Sequence, residues 1–289
     1  MLFEKSHQIV KSYAKINLSL RVLNEREDGY HNLETVMIPI ELHDVIEIEK
    51  RPGAFDTFIT CDDIGLANLR HNLCTKAVEA MRKEFGFKDN FNINIHKEIP
   101  FAAGLGGGSS NAAAVIESLI SLLKIKTDPE TINRIALSLG ADVPFFLNTK
   151  PAIATSLGEN LQQIPVKTQY HCLIVKPKTG LSTGAIFQIC DEFEKENADT
   201  EKVLEGLAKD DLELIGQATG NDLYPPAASV LPEVKKIVDS LKEAGFPVAA
   251  MTGSGSACFG LSKDAKFVKE QAKLYKNRGY IVRVTKTMK

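Results

Sequence analysis

The sequence lacks any long apolar run, and none approaches the roughly 20 apolar residues that a membrane-spanning helix needs. Residues 1–15 are too polar for a secretory signal peptide. Net charge is also small, formally −2, so there is no global electrostatic argument for binding nucleic acid or an anionic membrane. We therefore expect neither nucleic acid nor a membrane as a partner, and any anion site must be local.

Cysteines are few, and no two of them form a CxxC pair. The five cysteines are Cys61, Cys74, Cys172, Cys190 and Cys258. An odd number without paired spacing argues against a disulfide framework and against a structural zinc site. The pattern is typical of reduced thiols and predicts a cytoplasmic protein.

Glycine is concentrated in one segment, residues 100–114 (PFAAGLGGGSSNAAA). Residues 90–96 before it alternate apolar and polar side chains, which predicts a half-buried strand. Residues 112–124 after it contain neither Gly nor Pro and predict a buried helix. The candidate N-caps of that helix are Ser109, Ser110 and Asn111.

Glycines between a strand and a helix N-terminus let backbone N–H groups point inward without obstruction from a Cβ. Those donors, together with the positive end of the helix dipole, form an anion site suited to a phosphate chain. The alternative is a flexible turn that only joins two elements. A linker, however, needs neither the preceding proline nor the Ala-rich helix directly after it.

The glycine loop is not a Walker A motif, because the chain contains no Gly-Lys dipeptide, and it does not match Gly-x-Gly-x-x-Gly. It resembles the phosphate loop of the galactokinase, homoserine kinase, mevalonate kinase and phosphomevalonate kinase (GHMP) superfamily, Pro-x-x-x-Gly-Leu-Gly-Ser-Ser-Ala. The longer form GLGGGSSNAA is similar to one branch of that superfamily. The kinases of that branch serve the non-mevalonate isoprenoid route and act on an alcohol that bears cytidine diphosphate.

A second motif lies in residues 13–22, which alternate cleanly. The apolar set from Ala14 to Val22 is predicted to pack on a core, which leaves Lys15 and Asn17 on the opposite face. Periodicity alone favours a solvated strand face there. The stretch Ala-Lys-Ile-Asn-Leu, however, resembles the first superfamily motif, whose lysine stands at the reacting centre. The resemblance implies that Lys15 is catalytic and that Asn17 binds the substrate.

The segment Gly-Ala-Asp-Val-Pro places Asp142 among small and apolar residues, where an acid rarely lacks a partner. From the sequence alone, a cap on a turn is an equal alternative. The segment resembles the one that supplies the catalytic aspartate of the superfamily. This implies that Asp142 accepts the proton of the substrate alcohol or orients that alcohol. Lys15 beside it would keep the carboxylate ionised.

Two further motifs match the cytidine-binding branch. Tyr30 and His31 follow a turn signal at Asp28-Gly29, in a Gly-Tyr-His-x-Leu segment. Tyr30 could stack on a base and His31 could bond its edge. The segment LSTGAIF, with Thr183 and Phe187, resembles the second wall of the cytidine pocket. Phe187 would then face Tyr30 across the base. Without the resemblance, a Tyr-His pair after a turn is more often a partly buried turn.

The resemblance also implies ATP and Mg²⁺ as cofactors. The implied ATP-binding residues are Asn72, Lys97, Pro100, Ala103, Gly104, Leu105, Gly106, Gly107, Gly108, Ser109 and Ser110. Asn72 is the weaker match, because a helix cap explains it equally well. A hydroxyl of Ser110 or Ser109 would reach Mg²⁺. A third glycine motif, residues 251–260, is expected close to the phosphate loop or the substrate.

The implied fold is α+β with two domains. Residues 1–160 would form an N-terminal domain that resembles ribosomal protein S5 domain 2, and residues 161–289 a ferredoxin-like C-terminal domain. A length of 289 residues, 44% hydrophobic and 25% charged, suits such a globular protein, as a monomer or homodimer.

The implied activity is ATP-dependent phosphorylation of the 2-hydroxyl of a methylerythritol that carries cytidine diphosphate. Three alternatives stay open. A homoserine or mevalonate kinase would share the loop but lack the pair Tyr30 and Phe187. A decarboxylase of the superfamily would release inorganic phosphate without a phosphorylated product. A non-catalytic nucleotide sensor would have no reason to keep both Lys15 and Asp142.

Overall fold

The computed structural model describes residues 6–27, 29–51, 56–62 and 72–289, so Asp28 of the predicted turn lies outside the described residues. The strands are β1 (His7–Glu25), β2 (His31–Arg51), β3 (Phe58–Cys61), β4 (Asn90–His96), β5 (Ala152–Ser156), β6 (Asn160–Gln163), β7 (His171–Lys176), β8 (Gly220–Asn221), β9 (Val248–Met251), β10 (Cys258–Ser262) and β11 (Ile281–Lys286). The helices are α1 (Leu73–Phe85), α2 (Gly107–Leu123), α3 (Pro129–Leu139), α4 (Val143–Asn148), α5 (Thr183–Ile189), α6 (Thr200–Lys209), α7 (Leu212–Ala218), α8 (Tyr224–Val230), α9 (Pro232–Glu243) and α10 (Ala265–Asn277), with a 3₁₀ helix at Cys190–Glu192.

The chain divides into two compact units. The first unit comprises Met1–Tyr13, His43–Ile99 and Gly106–Thr149, and the second comprises Ala14–Leu42, Pro100–Leu105 and Lys150–Lys289. Within the described residues, none of the helices combines the length and the apolar character needed to cross a bilayer.

In the first unit, β4 pairs in parallel with β3 and antiparallel with the second half of β2. The alternation predicted for β4 is confirmed, because Phe91, Ile93 and Ile95 are buried while the intervening residues are more exposed. Helix α1 begins after Asn72, the candidate helix cap, and ends before Gly86. Helix α2 packs against α1 and α4 and buries a run of small residues from Ser110 to Ala114 near its start.

In the second unit, one sheet holds the segments of β1 and β2 that carry the polar motifs of the sequence analysis. Residues Leu33–Met37 of β2 pair antiparallel with β5, which in turn pairs with β6. Ser19 and Leu20 of β1 pair in parallel with the short strand β8. The predicted apolar face of β1 is confirmed, because its alternate residues from Ala14 to Val22 are at most 5% exposed.

The second sheet of this unit has four antiparallel strands in the order β11-β7-β10-β9. Helices separate β7 from β9, and α10 separates β10 from β11, whereas β10 is the next element after β9. The four strands and their helices therefore follow a β-α-β-β-α-β order. Its core joins residues of the sheet to α9 and α10, among them Leu173, Met251, Leu241 and Val268. This is the ferredoxin-like arrangement that the family resemblance implies, and the α+β fold class is confirmed.

Candidate active site

The predicted phosphate loop turns sharply before α2. Ala102, Gly104 and Gly106 all have positive φ angles, of 48°, 71° and 73°. Helix α2 begins at Gly107, not at Ala112, and its N-cap Gly106 has no side chain to offer. The prediction that Ser109, Ser110 or Asn111 caps the helix is therefore wrong, because these residues lie within its first turns.

The start of α2 brings a cation to the helix N-terminus. A Cβ on Gly107 would lie 3.0 Å from Cγ2 of Ile99 and 3.3 Å from Nζ of Lys97. The Lys97 side chain is 8% exposed and forms an ion pair with Asp44. The first amides of a helix have no partner within it. A buried ammonium beside such amides makes this part of the first unit suited to an anion.

Asp44 fixes the arrangement around Lys97, and sequence reasoning missed it. Its carboxylate is fully buried and also accepts hydrogen bonds from the backbone N–H groups of Glu98 and Ile99, each at 2.9 Å. The side-chain amide of Asn111 donates to it at 3.1 Å. No local signal marks Asp44, because β2 also contains four glutamates and the partners of Asp44 lie 53 to 67 residues away in sequence.

Two other predicted residues of the first unit already have protein partners. The Oδ1 atom of Asn72 accepts a hydrogen bond from the Cys74 amide at 2.9 Å, so Asn72 caps α1. The hydroxyl of Ser12 donates to the buried hydroxyl of Ser110 at 2.7 Å. A Cβ on Gly108 would lie 3.7 Å from the Leu73 side chain, which places the start of α1 beside that of α2.

Asp142 directly precedes α4 in the first unit and is half-buried. Its backbone is helical, and its side chain makes no cap hydrogen bond to α4. The alternative that Asp142 serves as the cap of this turn is therefore not supported.

Lys15, in the second unit, is buried rather than solvated. The side chain of Lys15 is 3% exposed, and so is that of Asn17. The Nζ atom of Lys15 donates to Oδ1 of Asn17 at 2.7 Å. The backbone amide of Lys15 donates to the carbonyl of Leu105 at 3.0 Å, which ties β1 to the loop segment 100–105. The solvated strand face that periodicity favours is wrong here, because both faces of β1 are buried from Ala14 to Leu20.

Asn17 is the centre of a buried polar network. Besides Lys15, its Oδ1 accepts from Oγ1 of Thr252 at 3.1 Å and from the amide of Gly253 at 3.0 Å. Its Nδ2 donates to Oγ1 of Thr35 at 2.8 Å. The geometry makes Asn17 a positioning residue for Lys15 and for the third glycine motif, and its predicted contact with a substrate stays a prediction.

The third glycine motif lies against the loop segment 100–105, as predicted. A Cβ on Gly104 would lie 2.1 Å from the carbonyl oxygen of Thr252, and one on Gly253 would lie 2.8 Å from the carbonyl oxygen of Gly104. The amides of Ser256 and Ala257 donate to the carbonyls of residues 102 and 103. The two backbones are thus in direct contact, which only glycine permits at these positions.

The predicted base-binding residues also gather in the second unit. The rings of His31 and Phe187 stack with centroids 6.3 Å apart. Tyr30, next to His31, is 64% exposed. The hydroxyls of Thr183 and Ser254 lie 2.7 Å apart, so the start of α5 meets the third glycine motif. Sequence reasoning missed Asp191, which lies 2.7 Å from His31.

Comparisons with known proteins identify the family of this chain. The families GHMP kinases N terminal domain and GHMP kinases C terminal match residues 72–150 and 203–277. The chain is 36% identical over 260 residues to a 4-diphosphocytidyl-2-C-methyl-D-erythritol kinase from Pelodictyon phaeoclathratiforme, with 88% of each chain covered. It is 36% identical over 276 residues to one from Pelotomaculum thermopropionicum, covering 95% of this chain and 96% of the other.

Solved structures give the same result. A crystal structure of 4-(cytidine 5'-diphospho)-2C-methyl-D-erythritol kinase superposes with a TM-score of 0.82 at 29% identity, covering 98% of this chain and 100% of the other. Homoserine kinase from Cytophaga hutchinsonii superposes with a TM-score of 0.76 at 15% identity, covering 100% and 96%, and shows the fold alone. This chain therefore belongs to the 4-diphosphocytidyl-2-C-methyl-D-erythritol kinase family of the GHMP kinases.

Proposed function

We propose that this protein phosphorylates the 2-hydroxyl of 4-diphosphocytidyl-2-C-methyl-D-erythritol with ATP, in the non-mevalonate route to isoprenoid precursors. The observation that carries the proposal is membership of that kinase family over almost the whole chain. The aromatic and imidazole rings that gather near α5 support it, because homoserine and mevalonate offer no base for them to bind.

ATP supplies the phosphoryl group, and the residues at the start of α2 fit a triphosphate. The amides of the first helical turn offer directional donors and the positive end of the helix dipole, and the ammonium of Lys97, paired with Asp44, lies beside them. The other loop residues from Pro100 to Ser109 would line the nucleotide. Mg²⁺ is held largely by phosphate oxygens and water in such sites. Ser110 would add one hydroxyl oxygen, since its bond from Ser12 leaves a lone pair.

Phosphoryl transfer needs alignment and charge neutralisation more than covalent help. We propose that Asp142 accepts the proton of the substrate alcohol, or orients that alcohol, with a carboxylate that α4 does not use as a cap. We propose that Lys15 supplies positive charge to the reacting oxygens, held in place by Asn17. Lys15→Met should lower kcat, and combined with Asp142→Asn it should cost less than the sum of the single losses.

The cytidine group would bind between Tyr30 and Phe187, with His31 at the edge of the base and Thr183 beside it. Reduced thiols support a cytoplasmic location, since none of the five cysteines is in a disulfide. The boundary between N-terminal and C-terminal domains at residues 160 and 161, and the state as monomer or homodimer, stay predictions.

A substrate panel tests the function. Purified protein, ATP and Mg²⁺ are incubated separately with 4-diphosphocytidyl-2-C-methyl-D-erythritol, bare methylerythritol, homoserine and mevalonate. ADP, inorganic phosphate and the phosphorylated product are measured by coupled assay and mass spectrometry. We expect one ADP for each phosphorylated cytidine compound and very slow reaction with the others. Faster phosphorylation of homoserine or mevalonate would overturn the proposal, as would phosphate release without a phosphorylated product.

A further inference from the structure

The side chain of His31 is held on two sides within the second unit. Its ring stacks on Phe187 with an angle of 29° between the ring planes. Its Nε2 lies 2.7 Å from Oδ2 of Asp191, and the His31 side chain is only 9% exposed. Lys195 donates to Oδ1 of the same carboxylate at 3.1 Å. The imidazole is therefore fixed both in its plane and at one of its two nitrogens.

Local structure brings the ring and the carboxylate together. Phe187 lies in α5, and Asp191 lies four residues later in the 3₁₀ helix that continues directly from α5. Helix α5 and its 3₁₀ continuation thus carry both Phe187, which stacks on His31, and Asp191, which bonds it. His31 lies 160 residues before Asp191 in the sequence. A shift of this helix would move both contacts together.

The charge of Asp191 decides which nitrogen of His31 carries the proton. The hydrogen bond with His31, followed by that with Lys195, lowers the pKa of the Asp191 carboxyl, so the group is ionised at neutral pH. An ionised carboxylate can only accept hydrogen bonds. The Nε2 atom of His31 must then donate, and in the neutral ring Nδ1 is left as an acceptor.

We propose that Asp191 is a positioning residue that holds His31 in the Nε2-protonated tautomer and thereby makes the base pocket prefer cytosine to uracil. The two bases differ at one edge, where cytosine has an amine that donates and uracil has a carbonyl that accepts. The Nδ1 acceptor pairs with the amine and opposes the carbonyl. The proposal rests on the proposed function, because it assumes that a pyrimidine binds beside His31.

A metal ion is the less favoured occupant of this cluster. Ligand atoms of His31, Cys190 and Asp191 lie within 4.8 Å of one another. Burial, however, raises the pKa of the Cys190 thiol, whereas a metal needs the thiolate. The Asp191 carboxylate is also engaged by two protein donors.

The test compares Asp191→Asn with Glu192→Gln. The first variant keeps the size of the side chain but can accept or donate, so it no longer imposes a tautomer on His31. The second removes a negative charge from the same 3₁₀ helix without touching the His31 contact. Calorimetry measures the dissociation constants of CDP and UDP for each protein. Long-range ¹H–¹⁵N spectra of the free proteins show which ring nitrogen of His31 is protonated, with assignment by loss of the signal in His31→Gln.

We expect wild-type protein and Glu192→Gln to bind CDP about tenfold or more tightly than UDP, the scale of one matched against one opposed hydrogen bond. Asp191→Asn should lose most of that preference, chiefly by weaker CDP binding. Wild-type His31 should carry its proton on Nε2. An Nδ1 proton in the wild type, or an undiminished preference in Asp191→Asn, would overturn the proposal.

Failure of the proposed function would look different. If the protein prefers CDP with the expected His31 tautomer but does not phosphorylate the cytidine compound, the proposed reaction is wrong and the role of Asp191 stands. If the cytidine compound is phosphorylated while CDP and UDP bind equally, the reverse holds. Loss of structure in Asp191→Asn would appear as a lowered Tm and an altered KM for ATP, and Asp191→Glu should then restore the CDP preference.

Discussion

Replacing Gly104 by alanine tests whether the contact between the loop segment 100–105 and the third glycine motif is as close as the structure shows. The new methyl group would lie 2.1 Å from the carbonyl oxygen of Thr252, 3.0 Å from its carbonyl carbon and 3.1 Å from the amide nitrogen of Gly255. All three atoms are backbone, so no side chain can rotate away. One of the two backbone segments must move by about 1 Å.

Two costs add at this position. A φ angle of 71° is left-handed, which costs an L residue with a Cβ about 1–2 kcal/mol. Overpacking a tight interior costs typically about 1–3 kcal/mol more. Gly86→Ala is the matched control, because Gly86 has a φ of 68° but nothing within 4 Å of its would-be Cβ. The difference between the two variants isolates the steric conflict from the backbone strain.

Thermal unfolding and ATP kinetics measure the two consequences. We expect the free energy of unfolding of Gly104→Ala to be about 1–3 kcal/mol lower than that of Gly86→Ala. In proteins slightly smaller than this one, each kcal/mol lowers Tm by roughly 2–4 °C. KM for ATP should rise in Gly104→Ala and stay at the wild-type value in Gly86→Ala, which lies at the end of α1. Equal losses of stability, or an unchanged KM for ATP in Gly104→Ala, would refute the reasoning.

Three further predictions concern chemistry, substrate binding and thiol reactivity. Asp142→Asn should retain binding of ATP and substrate but lower kcat by roughly 10² or more. The control is Asp128→Asn, which changes an exposed cap residue of α3 and should keep the wild-type kcat. A near-normal kcat in Asp142→Asn would show that Asp142 has only a structural role. Phe187→Ala should raise KM for the cytidine compound by about 10- to 100-fold, from ~1–3 kcal/mol of stacking, with KM for ATP unchanged; a lowered Tm with a normal KM would make Phe187 a packing residue. Cys61 should be alkylated in the folded protein at pH 8, whereas Cys74 should react only after unfolding. Burial raises the pKa of the Cys74 thiol to about 12, so the reactive thiolate is scarce at pH 8. Equal alkylation rates of the two cysteines, measured by mass spectrometry, would contradict the burial of Cys74.

Local pattern was enough to predict which side chains of two strands face the core, whereas the class of the fold followed from the resemblance of the motifs to a known superfamily. The alternation in residues 90–96 and from Ala14 to Val22 predicted which side chains face the core, and the structure confirms both. Periodicity works there because side chains of a strand alternate between faces irrespective of what packs on them. The motifs then gave the family, which the comparisons confirm.

Local pattern failed where a distant segment changes the energetics. Helix α2 starts at Gly107 although glycine is a poor helix former. Glycine suits this position because a Cβ would lie only 3.0 Å from the side chain of Ile99 and 3.3 Å from Nζ of Lys97. Lys15 is buried although its strand face is polar, because Asn17, fixed in turn by Thr252, bonds its ammonium. No propensity scale contains such contacts.

The sequence by itself therefore determined the alternating strands, the family and the residues that carry recognisable motifs. Only the tertiary structure showed what holds those residues in place. Asp44 lies 53 residues from Lys97, and Asp191 lies 160 residues from His31. Each is an ordinary acid in its local sequence. The role of each acid depends on the partner that folding brings next to it, because a hydrogen bond depends on distance in space and not on separation along the chain.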